Sequence, residues 1–423
     1  MKKNKIRVIS AVVSAIMLAS SASAFAKFDA YNDPDGFTLG HYEAEVNQEQ
    51  RAETEKLYEQ RPKNERQFEN LSRGLVAVPG ENGTLVSWRF LGTDSNSLAY
   101  NLYCNGEKLN DEPITTTNFF HTGASANAEY ALKEVENGEE TGVEYTTTAW
   151  DKNYIGFKVT EREGYNIDDG AVADLDGDGE YEILLRRVPS MDVNTRTSYP
   201  VIEAYKTDGT HMWTIDIGPN EINEVDINFL AYDMDGDGKA EVIMRSFEGT
   251  TDGKGNTIGD TNGDGITDYS KSESNLAIFK DRQYIVSTPE FLSIYDGETG
   301  EETDRTDLKP SKEPLSDWSY RYSDTGRLTK RASHYLFGLA YLDGVTPSVV
   351  MVRGAWDNVR AAAWHIEDGK FKEDWVHNTE NKDDVNSIWG ACNHNLVTVD
   401  VDFDGKDEIL SGPMAIDHDG SEM

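Results

Sequence analysis

Asp174-Leu-Asp176-Gly-Asp178-Gly-Glu-Tyr-Glu182, running straight into Ile-Leu-Leu185, decides how this chain is read. Carboxylates stand at positions 1, 3 and 5 of a glycine-broken turn, and a further acid stands at position 9. A calcium ion takes six to eight oxygens at about 2.3–2.6 Å, which such a turn supplies when a later acid closes the shell. The grammar recurs at Asp233, Asp235, Asp237 and Glu241, at Asp260, Asn262, Asp264 and Asp268, and at Asp400, Asp402, Asp404 and Glu408. Four copies point to bound Ca2+, several ions in all. They are not EF-hands, whose loop closes with Glu at position 12 between two helices. Here strand-like runs follow, as in Ala-Glu-Val-Ile-Met244 and Asp-Glu-Ile-Leu410. Two plainer readings stay open: structural staples in β-hairpins, and solvated acidic turns without metal.

Outward from the loops, the chain reads as all-β. Residues 66–157 alternate apolar and polar side chains in short runs, such as Thr84-Leu-Val-Ser-Trp-Arg-Phe90, with Asn105-Gly106 as a hairpin turn. They predict a small β-sandwich. From about residue 165 a weak repeat sets in: an acidic loop leads into a strand, and later a strand ends in Asp-Gly, at Asp208, Asp296 and Asp368. Ala340-Tyr-Leu-Asp-Gly-Val-Thr-Pro-Ser-Val-Val-Met351 is the same first element with its acids eroded. Repeating four-strand units of this size predict a β-propeller over 158–423, with about four blade starts visible. Residues 27–65 are a polar lead-in to which no function is assigned.

Residues 1–26 have the grading of a signal peptide: Lys2, Lys3, Lys5 and Arg7, an apolar stretch, then Ala24-Phe25-Ala26. A secreted, extracellular protein is expected. Removing this leader moves the formal net charge from −37 to −41. Such a surface repels nucleic acid and anionic membranes, and an acidic substrate would need metal or a local basic patch to dock. No other apolar run is long enough to span a bilayer, so the mature chain is expected to be soluble, and a monomer. Cys104 and Cys392 fall in different segments, and unpaired thiols are expected.

The ordered series Glu69-Asn-Leu-Ser-Arg-Gly-Leu-Val-Ala-Val78, Val86-Ser-Trp-Arg-Phe-Leu-Gly-Thr-Asp94, the first two acidic loops, Asn393-His-Asn-Leu396 and Met414-Ala-Ile-Asp417 resembles the family 11 polysaccharide lyases, the bacterial rhamnogalacturonan lyases. The resemblance implies an N-terminal β-sandwich, a calcium-rich eight-bladed propeller, and β-elimination on rhamnogalacturonan I. Relatives continue past the position of Met423 through a Gly-His-Gly-Asp segment, so the resemblance implies an incomplete propeller lacking any catalytic groups carried there. Two segments depart from the family. Arg245-Ser-Phe-Glu-Gly-Thr250 stands for Lys-Thr-Ala-Asp-Gly-Thr, and Arg353-Gly-Ala-Trp-Asp-Asn358 for Arg-Gly-Tyr-Tyr-Thr-Arg.

By position, His394 and Arg245 are the catalytic candidates, and Arg186, Arg187, Arg353, Asn393 and Asn395 the substrate contacts. An Arg meets a uronate bidentately, which Lys cannot. The plainer reading makes the arginines ion-pair partners of this chain's abundant acids and His394 a structural histidine. Trp356 and Trp364 are offered as stacking platforms against core packing; His365 and His377 carry no spacing signal. Two rival classes stay open: a calcium-stabilised propeller that binds pectin or another glycan without cutting it, and a hydrolase. No carboxylate pair stands apart from the metal ligands to support the latter.

Overall fold

The computed structural model describes residues 48–423, apart from 63, 126, 191–197, 222–227, 281, 320, 355–356 and 379–393. The signal peptide, Trp356, Asn393 and Cys392 lie outside the described residues. Strand outweighs helix, 43% to 8%, so the chain is all-β. Gln48–Gln60 in the polar lead-in is an α-helix. Among the described residues no helix is long and apolar enough to cross a membrane.

Two antiparallel sheets come first. One comprises Val76–Gly80, Gly83–Ser87 and Asn118–Thr122, the other Glu107–Lys108, Ala99–Cys104, Glu129–Glu136 and Glu139–Thr148. Their alternation buries Ala77 and Val86 of the first against Leu102, Tyr130 and Leu132 of the second. Cys104 is a buried free thiol.

Four further sheets follow, each a meander in spatial order. The strands are Tyr165–Ala173, Glu182–Pro189, Val201–Tyr205 and His211–Asp216; then Phe229–Tyr232, Glu241–Phe247, Glu290–Tyr295 and Glu302–Asp307; then Tyr335–Ala340, Ser348–Arg353, Arg360–Glu367 and Lys370–Asn378; then Val397–Val399, Glu408–Ser411 and Met414–Ile416. The second sheet is interrupted between its second and third strands by residues 248–289, which carry the third acidic loop and a hairpin, Leu276–Phe279 with Arg282–Ile285.

Successive sheets stack face to face, which explains why their inner strands are apolar on both sides. Val242 and Met244 pack with Leu184, Ile202 and Ala204 of the preceding sheet. Ile243, between them, packs with Val349, Met351 and Trp364 of the following one. Val350 and Val352 in turn face Ile409, Met414 and Ile416. Strands buried on both faces read as continuous apolar runs. Trp364 is therefore core, 1% exposed. The Asp-Gly turns at 208, 296 and 368 join the third strand of a sheet to its fourth.

Three of the four acidic loops, and the eroded one, join the first strand of a sheet to its second. They lie along one edge, because the segment 64–73 crosses them in turn. Asn64 Nδ2 donates to Gly405 O (2.9 Å), Gln67 N to Val345 O (2.8 Å), Gln67 Nε2 to Asp233 O (3.2 Å), and Ser72 N to Gly179 O (2.8 Å). A Cβ at Gly179 would stand 3.1 Å from Ser72 N, and Gly179 holds φ +87°, so this crossing needs glycine twice over.

Candidate metal loops and the arginine-histidine site

Each acidic loop is folded by its own carboxylates. In the first, Asp174 accepts from the N–H groups of Gly177 (2.8 Å), Asp178 (3.1 Å) and Gly179 (2.8 Å), and Glu182 accepts from Leu175 N (2.8 Å). In the second, Asp233 takes Gly236 (2.7 Å) and Gly238 (3.0 Å), and Glu241 takes Met234 N (2.9 Å). In the fourth, Asp400 takes Gly405 N (3.1 Å) and Glu408 takes Val401 N (2.6 Å). Every closing Glu is the first residue of a strand, so pairing in the sheet holds its carboxylate under the turn.

These bonds leave acceptor oxygens over. Ligand atoms of Asp174, Asp176 and Asp178 lie within 4.8 Å of one another, as do those of Asp233, Asp235 and Glu241, and of Asp400, Asp402 and Asp404. Asp176 Oδ1, Asp400 Oδ1 and Glu408 Oε1 are buried and accept no hydrogen bond. Buried acceptors without a donor are costly, and a cation removes the cost. These three clusters have the oxygen donors of a metal site. Asp237 is not drawn into the second group; its Oδ1 accepts from Lys239 N (2.8 Å).

The third loop is different. Asp260 accepts from Gly263 (2.7 Å) and Gly265 (2.8 Å), but Asp260, Asp264 and Asp268 are not gathered into a cluster. Tyr269 Oη sits 2.9 Å from both Asp264 Oδ2 and Asn262 Nδ2, and Asp268 accepts from Ser270 and pairs with Lys271 (2.9 Å). Tyrosine, serine and lysine occupy the oxygens that a metal would need.

Burial pushes the Glu182 carboxyl up to about 7 and those of Glu241 and Glu408 up to about 8, with neighbouring aspartates adding to the rise. Without a cation these closing acids keep their protons well above the ordinary carboxylate range. Glu69 joins them from the crossing segment. Burial, then Asp233 and Asp174, push it up to about 7, and its Oε1 accepts no hydrogen bond.

The four candidate arginines are buried and paired. Arg186 meets Asp168 and Asp169, and Arg187 meets the fully buried Glu203 at 3.0 Å. Arg245 pairs with Glu221 and, at 3.5 Å, with Glu290; Arg353, wholly buried, pairs with Glu290 at 2.6 Å and donates to Pro310 O at 2.9 Å. Lys312 lies in the same cluster, donating to Ile285 O, and burial pulls it down to about 8.

This cluster reaches the histidines through one short turn. Arg353 Nε donates to Ala332 O, Arg245 Nη1 to Ser333 O (3.5 Å), and Gly354 N to His334 O (2.8 Å). The His334 ring is buried and meets the exposed His394 ring edge-on, with centroids 5.2 Å apart. Asn395 beside it is exposed, and its carbonyl accepts from Ser411 Oγ (2.7 Å). The structure thus brings His394, Arg245 and Arg353 to one place and leaves Arg186 and Arg187 in another sheet. His365 pairs with Asp374 (2.7 Å) and His377 with Glu422 (3.2 Å).

Glu69, His334, Glu290 and Lys312 were not singled out by sequence. Only Glu69 carried a signal, as the first residue of a segment quoted for its resemblance.

An all-β chain with acidic clusters that could hold a metal ion along one sheet edge sets the class, and comparison with known proteins then specifies it. Residues 156–423 match the C-terminal domain of rhamnogalacturonan lyase family 11, and residues 66–150 match the rhamnogalacturonan I lyase beta-sheet domain. The chain belongs to rhamnogalacturonan lyase family 11. It is 38% identical over 373 residues to the rhamnogalacturonan endolyase YesW of Bacillus subtilis, covering 85% of this chain and 57% of that protein. It is equally 38% identical over 375 residues to the exolyase YesX of the same organism, covering 85% and 58%. The crystal structure of YesW superposes with a TM-score of 0.73 (85% of this chain, 61% of that one), and the Bacillus licheniformis family 11 rhamnogalacturonan lyase with 0.71 at 37% identity (85% and 61%). The chain thus spans less than two thirds of the length of these relatives.

Proposed function

We propose that this chain is a secreted, calcium-dependent lyase of rhamnogalacturonan I, the pectin backbone of alternating rhamnose and galacturonate, cleaving it by β-elimination. The stacked sheets from Tyr165 onward are read as blades of a β-propeller, and the two N-terminal sheets as a β-sandwich. The observation that carries the reading is the row of acidic loops on one edge, with buried oxygens that accept no hydrogen bond. Membership of the lyase family supports the substrate class. The basic, apolar and then small residues of 1–26 support export. A monomer fits both.

In β-elimination a base removes the C5 proton of galacturonate, and the rhamnose attached at O4 leaves as an unsaturated uronate forms. Calcium held by Asp174, Asp176 and Asp178, or by Asp233, Asp235 and Glu241, would brace the edge that joins first strands to second. His394, Arg245 and Arg353 stand at the other end of the strands, where a cation beside the galacturonate carboxylate would acidify that proton. His394 takes the proton, since its imidazole is exposed and held edge-on by the buried His334 ring. Arg245 and Arg353 act from below, holding the Ala332–His334 turn so that His334 supports the His394 ring. Among the arginines, Arg186 turns most readily to a uronate, because its partner Asp168 is itself 40% exposed. Arg187, against a wholly buried acid, does not.

The test is to incubate the full chain with rhamnogalacturonan I and follow the ultraviolet absorbance of the unsaturated uronate. Growth of that signal supports the reading. Retention of the polymer on the folded protein without product would leave glycan binding alone.

A further inference from the structure

The connection between the two matched domains carries a concave surface of its own. The family matches cover residues 66–150 and 156–423, and Asp151 to Ile155 lie between them. This connection is anchored at both ends. Trp150 N–H donates to Ala77 O (2.8 Å), on the edge strand of the first sheet. The Phe157 ring packs tilted against Tyr205, with centroids 5.8 Å apart, and a Cβ at Gly209 would stand 3.0 Å from Phe157 Cβ, so the second anchor fits closely.

Between the anchors the chain turns large side chains outward. Tyr154 is 61% exposed and Ile155 50%. With the half-buried Trp150 they line a cavity of about 730 Å³, together with Asn127, Thr147 and Lys152. That volume falls within the usual range for small-ligand sites. Lys152 Nζ stands 5.4 Å from the centroid of the Tyr154 ring, and no carboxylate pairs with it among the described residues. The side-chain polar groups of Asn127, Thr147 and Trp150 likewise hydrogen-bond to nothing else among the described residues. The arginines near His394 face acids, whereas this lysine faces a ring.

We propose that this cavity is a second glycan site, built from residues other than those at His394, which holds a uronate-bearing polysaccharide. A pyranose presents C–H groups on its faces and hydroxyls around its rim. An aromatic face beside unspent hydroxyl, amide and indole groups matches both. A wholly apolar ligand would strip water from those polar groups and leave them without partners. The lysine ammonium supplies a compact positive charge for a carboxylate, and Asp151, also at the cavity, is the opposing charge. Among the described residues, no cluster that could hold a metal ion includes this cavity, so binding here needs no calcium. That the uronate belongs to rhamnogalacturonan I rests on the lyase reading; the recognition chemistry does not. A second hold on one polymer raises the local concentration of its chain at the protein.

The test is affinity electrophoresis of the full chain in chelator, through gels holding rhamnogalacturonan I, polygalacturonate, the carboxyl-reduced form of each, or neutral galactan. Retardation by the uronate polymers is expected, and it should weaken as salt rises. Tyr154→Ala should lower the affinity about three- to tenfold, and Lys152→Gln about threefold at low salt. Lys152→Gln should lose no more on carboxyl-reduced polymer, and Asp151→Asn should bind the uronate polymers more tightly. Tyr154 and Lys152 are exposed, so both variants are expected to keep the parent melting temperature, which separates lost binding from lost folding. No retardation of the folded native chain, affinity unchanged in Tyr154→Ala with Lys152→Gln, or equal retention by neutral galactan would each overturn the site. Failure of the lyase reading shows separately, as absence of unsaturated uronate from a native chain whose retention still depends on Tyr154 and Lys152.

Discussion

Arg66 grips Asp407 with both guanidinium nitrogens, at 2.8 and 3.2 Å, and so fastens the segment ahead of the first sheets to the strand start of the last one. Asp407 also accepts from Tyr341 N (3.0 Å) and is 5% exposed. Removing Arg66 strands a buried carboxylate, which typically costs about 3–5 kcal/mol. Arg66→Ala is expected to fall in or just below that range by chemical denaturation, because Arg66 is itself partly exposed. Arg66→Ala with Asp407→Asn should recover part of the loss, and equal losses in the single and double variants would contradict the pairing.

The first and third loops are predicted to behave differently toward calcium. Asp174→Ala with Asp176→Ala should abolish a large share of the rise in melting temperature that calcium gives the parent. Asp260→Ala with Asp264→Ala should leave most of that rise, since Tyr269 and Ser270 already occupy the third loop. A larger effect from the third loop would reverse the ranking of the sites.

Metal-free stability should fall as pH rises. Burial raises Glu182, Glu241 and Glu408 from 4.5 to about 7 or 8, so between about pH 5 and 8 the folded state holds protons that the unfolded chain has released. Stability declines wherever the folded state binds more protons, and it levels off above the folded values. In chelator, denaturation midpoints should therefore be lower at pH 8 than at pH 5.5. Calcium should flatten this slope, since metal binding displaces the protons. A chelated protein that gains stability over the same window would contradict the buried, protonated acids.

His394→Ala is expected to lower turnover at least about 100-fold, the usual scale of general-base loss, with stability changed by no more than about 1 kcal/mol because the ring is exposed. His334→Ala should lower both. If His394→Ala reduces stability and turnover together, its role is structural.

How far these features were legible in the sequence follows from their range. The acidic turns, the strands after them and the Asp-Gly turns are local, because carboxylate spacing and glycine act within nine residues. The apolar runs within Ser348–Arg353 and Glu241–Phe247 are likewise legible as strands, and their burial on both faces comes from the neighbouring sheets. What escaped depends on chain crossings. Nothing in Asn64 to Arg73 shows that it lies across four loops hundreds of residues away. Arg245 and Arg353 read equally well as substrate contacts or as ion-pair partners until Glu221, from the connection ahead of Phe229–Tyr232, and Glu290, from another strand, arrive beside them. The third loop matches the others in spelling, and its difference lies in Tyr269 and Ser270, just past the repeat.

The measurement closest to the central claim is release of unsaturated uronate from rhamnogalacturonan I by the full chain, in calcium and in chelator, beside Asp174→Ala with Asp176→Ala. The account predicts product in calcium, little in chelator, restoration when calcium is returned, and a deficit in the double variant. Product formed equally in chelator by a protein shown to be metal-free would contradict calcium dependence, and no product from a folded, calcium-loaded chain would contradict the lyase.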